Sequence, residues 1–102
     1  MKSSNVLNIE TNLLANNNII IHPNEGYDLG LLSHTTPVKI FANTSIDMFK
    51  SANENFIEGT IILANECRQG NIQLSKKYWN LIGKPEQVIL YYEDNKILIS
   101  NY

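Results

Sequence analysis

Short β-rich runs separated by turn residues constrain the fold of this chain more than any other feature. Alternating, β-branched runs are typical of strands, and clusters of turn-forming residues are typical of the connections between strands. Asn16–Asn18, Arg68–Asn71 and Glu93–Asn95 are such clusters. The sequence predicts seven strands, at residues 6–9, 18–21, 38–41, 60–63, 72–74, 88–92 and 96–99.

A short helix is predicted directly after the fifth of these strands. Ser75 is a good N-cap, and Tyr78, Leu81 and Ile82 follow at the spacing of one helical face. Gly83 is a favourable residue at the C-terminal end of a helix. The sequence therefore predicts a mainly β fold with short helices.

The two halves of the chain share one order of elements. A shift of 53 residues places 18–30 on 71–83, so that Gly30 meets Gly83 and Pro23 begins an equivalent short helix. In each half a further strand and a polar turn then lead into an apolar segment, which predicts a hairpin in both halves. We therefore predict one domain, 1–102, built from two β-rich repeats at about 4–50 and 56–102 with a linker at about 51–55.

Composition excludes several classes of protein. The formal net charge is −2, and 43% of the residues are hydrophobic, which is enough for a packed core. Cys67 is the only cysteine, so no internal disulfide can form and a reducing, cytoplasmic location is expected. No signal-peptide pattern occurs, and no apolar run reaches the roughly 18 residues of a membrane helix, so no membrane association is expected.

Enzyme signatures are missing from the sequence. His22 and His34 are not accompanied by cysteine or carboxylate residues in a metal-ligand pattern. No phosphate-binding glycine loop, nucleophile elbow or dinucleotide fingerprint occurs. We therefore expect no catalysis, no metal and no cofactor.

Residues 57–102 resemble a known family in their pattern of glycine, apolar strands, short helix and polar turns. The positions that match are Gly70, Ile72, Leu74, Ile82, Gly83, Val88, Tyr91, Glu93, Asp94, Ile97 and Ile99. This pattern resembles the swapped-hairpin domain of SpoVT/AbrB-type proteins, which include AbrB-type regulators, MazE-type antitoxins and MraZ. The resemblance implies a double-psi or swapped-hairpin AbrB-like barrel. The repeat implies that this one chain supplies both units, as in MraZ.

The resemblance implies a small DNA-binding transcriptional regulator or antitoxin. Between residues 67 and 85 the chain carries four cations and no anion, and cations of this kind contact phosphates. Neighbouring amide side chains can read the edges of bases. The predicted DNA-binding residues are Arg68, Asn71, Gln73, Lys76, Lys77 and Lys84.

A protein-binding module with the same fold, which does not bind DNA, is the alternative. DNA-binding members of the family carry arginine at the positions of Asn71, Trp79 and Asn80, and the isoelectric point of this chain, about 5.6, is acidic. Glu25 and Asp28 predict an acidic face that could meet the basic face of another molecule. The predicted partner-binding residues are therefore Trp79, Glu25 and Asp28, and the expected partner is a toxin or a second copy in a homo-oligomer.

Overall fold

Eight strands and three short helices make up the structure, a computed structural model that describes all residues from 1 to 102. The helices are α1 (Pro23–Asp28), α2 (Ile46–Ser51) and α3 (Lys76–Leu81). The prediction of a mainly β fold with short helices is confirmed. The strands are β1 (Lys2–Ser3), β2 (Leu7–Thr11), β3 (Asn18–Ile21), β4 (Thr35–Ala42), β5 (Ile57–Leu63), β6 (Asn71–Leu74), β7 (Gln87–Glu93) and β8 (Lys96–Asn101).

The strands form one closed barrel. Seven of them pair in the order β7-β2-β6-β3-β5-β4-β8, and β8 pairs again with β7, which closes the sheet. The short strand β1 also pairs with β7, at residues 91–92, whereas β2 pairs with β7 at residues 87–88. Closure removes the unpaired outer edges that an open sheet exposes. The prediction of a β-rich barrel is confirmed, and a single chain is sufficient to close it.

Alternate residues of the seven barrel strands fill the interior of the barrel. In β6, Ile72 and Leu74 are fully buried, whereas Asn71 and Gln73 are half-buried on the outer face. The interior contains 17 buried residues, which come from the strands, from Tyr78 of α3 and from the segments that follow α1 and α3. This packed interior holds the turns and helix ends in place at the barrel surface.

Helix α2 covers part of the outer surface of the barrel. Phe49 is fully buried against Phe41 of β4, with the ring centroids 5.5 Å apart, and Leu98 of β8 completes this outer cluster. The helix begins because the Ser45 hydroxyl accepts a hydrogen bond from the Met48 amide at 3.2 Å. The hairpin predicted for the first half is therefore wrong, since its apolar segment forms this helix and packs outside the sheet.

Lys96 of β8 holds the C-terminal end of α2. Its Nζ donates to the carbonyl oxygens of Phe49, Lys50 and Ala52 at 3.1, 3.1 and 3.5 Å. The last carbonyl groups of a helix have no partner within the helix, so a cation placed there satisfies them. The ammonium group of Lys96 is therefore already hydrogen-bonded within the fold.

The two halves of the barrel pair with matching registers. β2 runs parallel to β6, and β3 runs parallel to β5. The antiparallel pair β3–β6 places Ile20 opposite Gln73, which is 53 positions later in the chain. The amide after β2 donates to the last carbonyl of β6 at 2.8 Å, and the amide after β5 donates to the last carbonyl of β3 at 2.9 Å. A two-fold axis between β3 and β6 would produce these pairings.

Candidate functional site

The predicted DNA-binding cations lie at different ends of β6 and α3. Lys76 and Lys77 begin α3 and are exposed, whereas Arg68 lies in the turn before β6. Four residues of β6 separate these two groups, which corresponds to roughly 13 Å along the strand. Lys84 follows α3, beyond the end of the helix that is distant from Lys76 and Lys77. The structure does not gather the four cations into one cluster.

The two predicted base-reading amides make contacts within the protein. Asn71 Nδ2 donates to Glu10 Oε2 at 3.2 Å, and Gln73 Oε1 accepts from Asn12 Nδ2 at 2.9 Å. Glu10 is exposed on β2, directly beside Gln73 in the sheet. The local absence of anions in the sequence therefore does not extend to the surface, because the fold brings this carboxylate from β2 to β6.

The cations themselves have no carboxylate partner. The only ion pair in the structure joins the N-terminal amine to Glu93 at 3.6 Å. Arg68, Lys76, Lys77 and Lys84 therefore have no carboxylate oxygen within 4.0 Å. Their charges are free to meet an external anion.

Two of the predicted partner-binding residues make contacts that hold the fold. Glu25 is buried, with 6% of its surface exposed, and its Oε2 accepts from the Gly70 amide at 2.8 Å. The predicted acidic face must be corrected at this residue, because the turn uses its carboxylate and only Asp28 is exposed. Trp79 is half-buried, and its Nε1 donates to the Pro85 carbonyl at 2.8 Å.

Leu13 and Leu14 form an apolar tip on the turn between β2 and β3. Their exposed fractions are 87% and 84%. The turn holds them outside because Asn12 Oδ1 accepts from the Leu14 amide at 2.9 Å, while Ala15 is fully buried and anchors the far side. The sequence could have indicated this apolar tip, since two adjacent leucines interrupt a turn that is otherwise rich in asparagine.

A groove runs from this tip across the start of β5. A cleft of about 690 Å³ lies between the β2–β3 turn and the start of α3, and a second cleft of about 840 Å³ lies along β4 and the β7–β8 turn. Glu58 and Gly59 line both clefts, so the two clefts adjoin at the start of β5. We call this depression the β5 groove, and its walls are Leu13, Asn16–Asn18, Pro37–Lys39, Asn53, Glu58–Thr60, Ser75–Lys77 and Asp94–Lys96.

On the β3 side, the start of β5 lies beside the β2–β3 turn and not beside a strand. β5 pairs with β4 along residues 57–62 but with β3 only along residues 60–63. Residues 57–59 therefore have no strand beside them on the β3 side. Gly59 allows the β2–β3 turn to approach this edge closely, because a Cβ at this position would overlap the Asn17 carbonyl oxygen.

Cys67 has a structural role. Its side chain is fully buried, and Sγ lies 3.6 Å from the carbonyl oxygens of Ile20 and Asn71. Burial, together with the nearby carboxylates of Glu10 and Glu25, raises the pKa of this thiol. A thiol with a raised pKa is a weak nucleophile at neutral pH.

No set of three or more histidine, cysteine or carboxylate side chains is arranged to hold a metal ion. None of the three helices has the length and apolar character required to cross a lipid bilayer.

Comparisons with protein-family models, curated proteins and solved structures gave no match to this chain. The resemblance to the swapped-hairpin family therefore stays a prediction, and the surface chemistry carries the functional argument.

Proposed function

We propose that this protein is a non-catalytic protein-binding module built on a small β-barrel, with the β2–β3 turn as its main contact. The exposure of Leu13 and Leu14 is the observation that carries this proposal. Single exposed apolar residues are common, but two adjacent leucines at 87% and 84% exposure on a polar turn are suited to burial in a complex. The acidic isoelectric point, about 5.6, also supports a protein partner over DNA.

Burial of these two leucines would supply a substantial binding energy. Complete burial of one leucine contributes roughly 1.5–3 kcal/mol. Because about 1.4 kcal/mol changes an equilibrium constant tenfold, each leucine corresponds to about a 10- to 100-fold change in Kd. The fold does not use this energy, since neither leucine belongs to the barrel core.

Calorimetry on a purified complex tests the proposal. A partner is first isolated by affinity capture, and its affinity for the purified chain is then measured by titration. We expect the double variant Leu13→Ser/Leu14→Ser to weaken binding at least about tenfold. Leu32→Ser is the matched control, because Leu32 is 85% exposed and lies outside the turn. Equal weakening of binding by the double variant and by Leu32→Ser would contradict the proposal, and so would the lack of any measurable partner.

DNA binding by an AbrB-like regulator or antitoxin is the second candidate. The four cations without carboxylate partners favour it, although Glu10 lies beside the amides that would read bases. A gel-shift titration at two salt concentrations separates the candidates, because phosphate contacts weaken steeply as salt rises. Binding that is absent at low salt, or unchanged in Lys76→Glu/Lys77→Glu, rules out this candidate.

We further infer that the chain is a tandem repeat, with units at about 4–50 and 56–102, in an AbrB-like arrangement. The matching registers of β2–β6 and β3–β5 support this inference. In such an arrangement the turns 12–17 and 64–70 occupy corresponding places. Only the first of them carries exposed leucines, so the repeat would present one apolar contact for each chain. A reducing cytoplasm suits the lone, buried thiol of Cys67.

A further inference from the structure

We propose that Gln73 is a positioning residue for the leucine tip of the β2–β3 turn, and that it acts through the side-chain amide of Asn12. The leucine tip consists of Leu13 and Leu14, and the inference rests on the proposed function, because it identifies what presents these side chains to the partner. Three observations support it: the bonds made by Asn12, the fixed orientation of its amide group, and the lack of such an amide pair at the corresponding turn of the barrel.

Asn12 joins the β2–β3 turn to the barrel through both its backbone and its side chain. Its backbone amide donates to the carbonyl of Leu74, the last residue of β6, at 2.8 Å, and its own carbonyl accepts from the Ala15 amide at 3.1 Å. Its side-chain Oδ1 accepts from the Leu14 amide at 2.9 Å, and this bond closes a short turn with Leu13 at its apex. The direction of both leucines therefore depends on the Asn12 side chain.

Gln73 stabilises one of the two orientations of the Asn12 amide group. The Leu14 backbone N–H can only donate, so Asn12 must turn Oδ1 towards it and Nδ2 away from it. Asn12 Nδ2 then donates to Gln73 Oε1 at 2.9 Å, which favours this orientation over the reversed one. Because Gln73 is half-buried on β6, the barrel holds the tip in order before a partner arrives, and contacts ordered in advance lose less entropy on binding.

The corresponding turn, 64–70, is held in a different way. The Glu25 carboxylate accepts from the amide of Gly70 at 2.8 Å and joins this turn to α1. Ile20 lies 53 positions before Gln73 and opposite it in the sheet, so an apolar side chain takes the place of the amide in that half. The amide pair therefore occurs only beside the turn that carries exposed leucines, as a role in presenting them requires.

Amide hydrogen exchange of the intact protein, followed by NMR, tests the proposal without a partner. Gln73→Ala should speed exchange of the Leu14 amide about 2- to 10-fold, because a single hydrogen bond stabilises the closed turn by about that factor. Asn71→Ala is the matched control, since it removes the other outward amide of β6, which bonds to Glu10, and should leave Leu14 exchange unchanged. Equal acceleration in the two variants, or none in Gln73→Ala, overturns the proposal.

The substitution Asn12→Asp separates positioning from a general structural role. A carboxylate has two equivalent oxygens, so the Leu14 amide finds an acceptor whichever way the group is turned. In the Asn12→Asp background, Gln73→Ala should therefore speed Leu14 exchange by less than about twofold. A purely structural role of Gln73 would give the same acceleration in both backgrounds, and this result would overturn the proposal.

The affinity for the partner isolated for the calorimetric test gives the second measurement. Gln73→Ala should raise Kd about 2- to 10-fold, and this loss should disappear in the Asn12→Asp background. Faster Leu14 exchange with an unchanged Kd overturns the positioning role, while the leucine contact stands if Leu13→Ser/Leu14→Ser weakens binding. If that double variant leaves Kd unchanged, the proposed function fails instead, whatever the exchange measurements show.

Discussion

Replacement of Tyr78 by phenylalanine should stabilise this protein. The ring lies in the barrel core with 4% of the residue exposed, and its hydroxyl is the one buried side-chain polar atom without a hydrogen-bond partner. An unsatisfied buried hydroxyl costs roughly 1–3 kcal/mol. Tyr78→Phe keeps the ring and removes this cost, so we expect a gain of about 1 kcal/mol, which raises Tm by about 4–8 °C in a domain of this size.

The same residue predicts how stability depends on pH. Burial raises the pKa of Tyr78 from 10.0 to about 12. Between these values the unfolded chain loses the tyrosine proton and the folded chain keeps it, so stability falls as pH rises from about 10 to about 12. At about 1.4 kcal/mol per pKa unit, this residue accounts for a loss of about 2–3 kcal/mol. The Tyr78→Phe variant should not show this part of the loss of stability at alkaline pH.

Tyr92→Phe is the matched control, because the Tyr92 hydroxyl has a partner. It donates to Asn95 Oδ1 at 2.9 Å in the turn between β7 and β8. Its removal should therefore cost about 0.5–1.5 kcal/mol, the opposite sign to Tyr78→Phe. Urea unfolding followed by circular dichroism at pH 7, 10 and 11 measures both effects. A loss above about 1 kcal/mol in Tyr78→Phe would refute the reasoning, because it would show that the hydroxyl has a partner such as a buried water.

Two further substitutions probe the backbone contacts of the barrel. Ser4→Ala removes the hydroxyl that accepts the Leu90 amide at 2.9 Å and should cost about 1–3 kcal/mol in urea unfolding. Ser3→Ala, at an exposed neighbouring position, should cost less than about 0.5 kcal/mol, and equal losses would contradict this assignment. Gly59→Ala places a Cβ against the Asn17 carbonyl oxygen and should lower stability by about 1–3 kcal/mol. A Tm equal to that of the wild type would contradict the close approach.

Local signals in the sequence were sufficient for most of the strands and for two helices. The cap of α3 is an example, because the Ser75 hydroxyl accepts from the Tyr78 amide at 3.1 Å, as the sequence pattern predicts. Helix α2 was missed although Ser45 caps it in the same way. Its position depends on Phe49 packing against the outer face of β4 and β8, and no local pattern indicates which face of a strand a distant helix will cover.

The candidate site was harder to predict, because charge was interpreted from neighbours in sequence. Glu25 follows a proline in a short helix, a pattern typical of exposed carboxylates, yet it bonds to the amide of Gly70, 45 positions away. The basic stretch appeared free of anions until the fold placed Glu10 beside it. Leu13 and Leu14 were overlooked because apolar residues are expected inside, so their exposure became evident only with the turn in place.

The two halves of the barrel differ at one informative pair of positions. Glu25 and Tyr78 are the third residues of α1 and α3, lie 53 positions apart, and are both buried. Glu25 bonds to the Gly70 amide and so holds the turn before β6 against α1, whereas the Tyr78 hydroxyl makes no such bond. The turn on the Tyr78 side instead carries the leucine tip and borders the β5 groove. The turn that carries the leucine tip therefore lacks the bond that holds its counterpart, the turn 64–70, against α1, and its apolar residues stay available for the contact proposed for them.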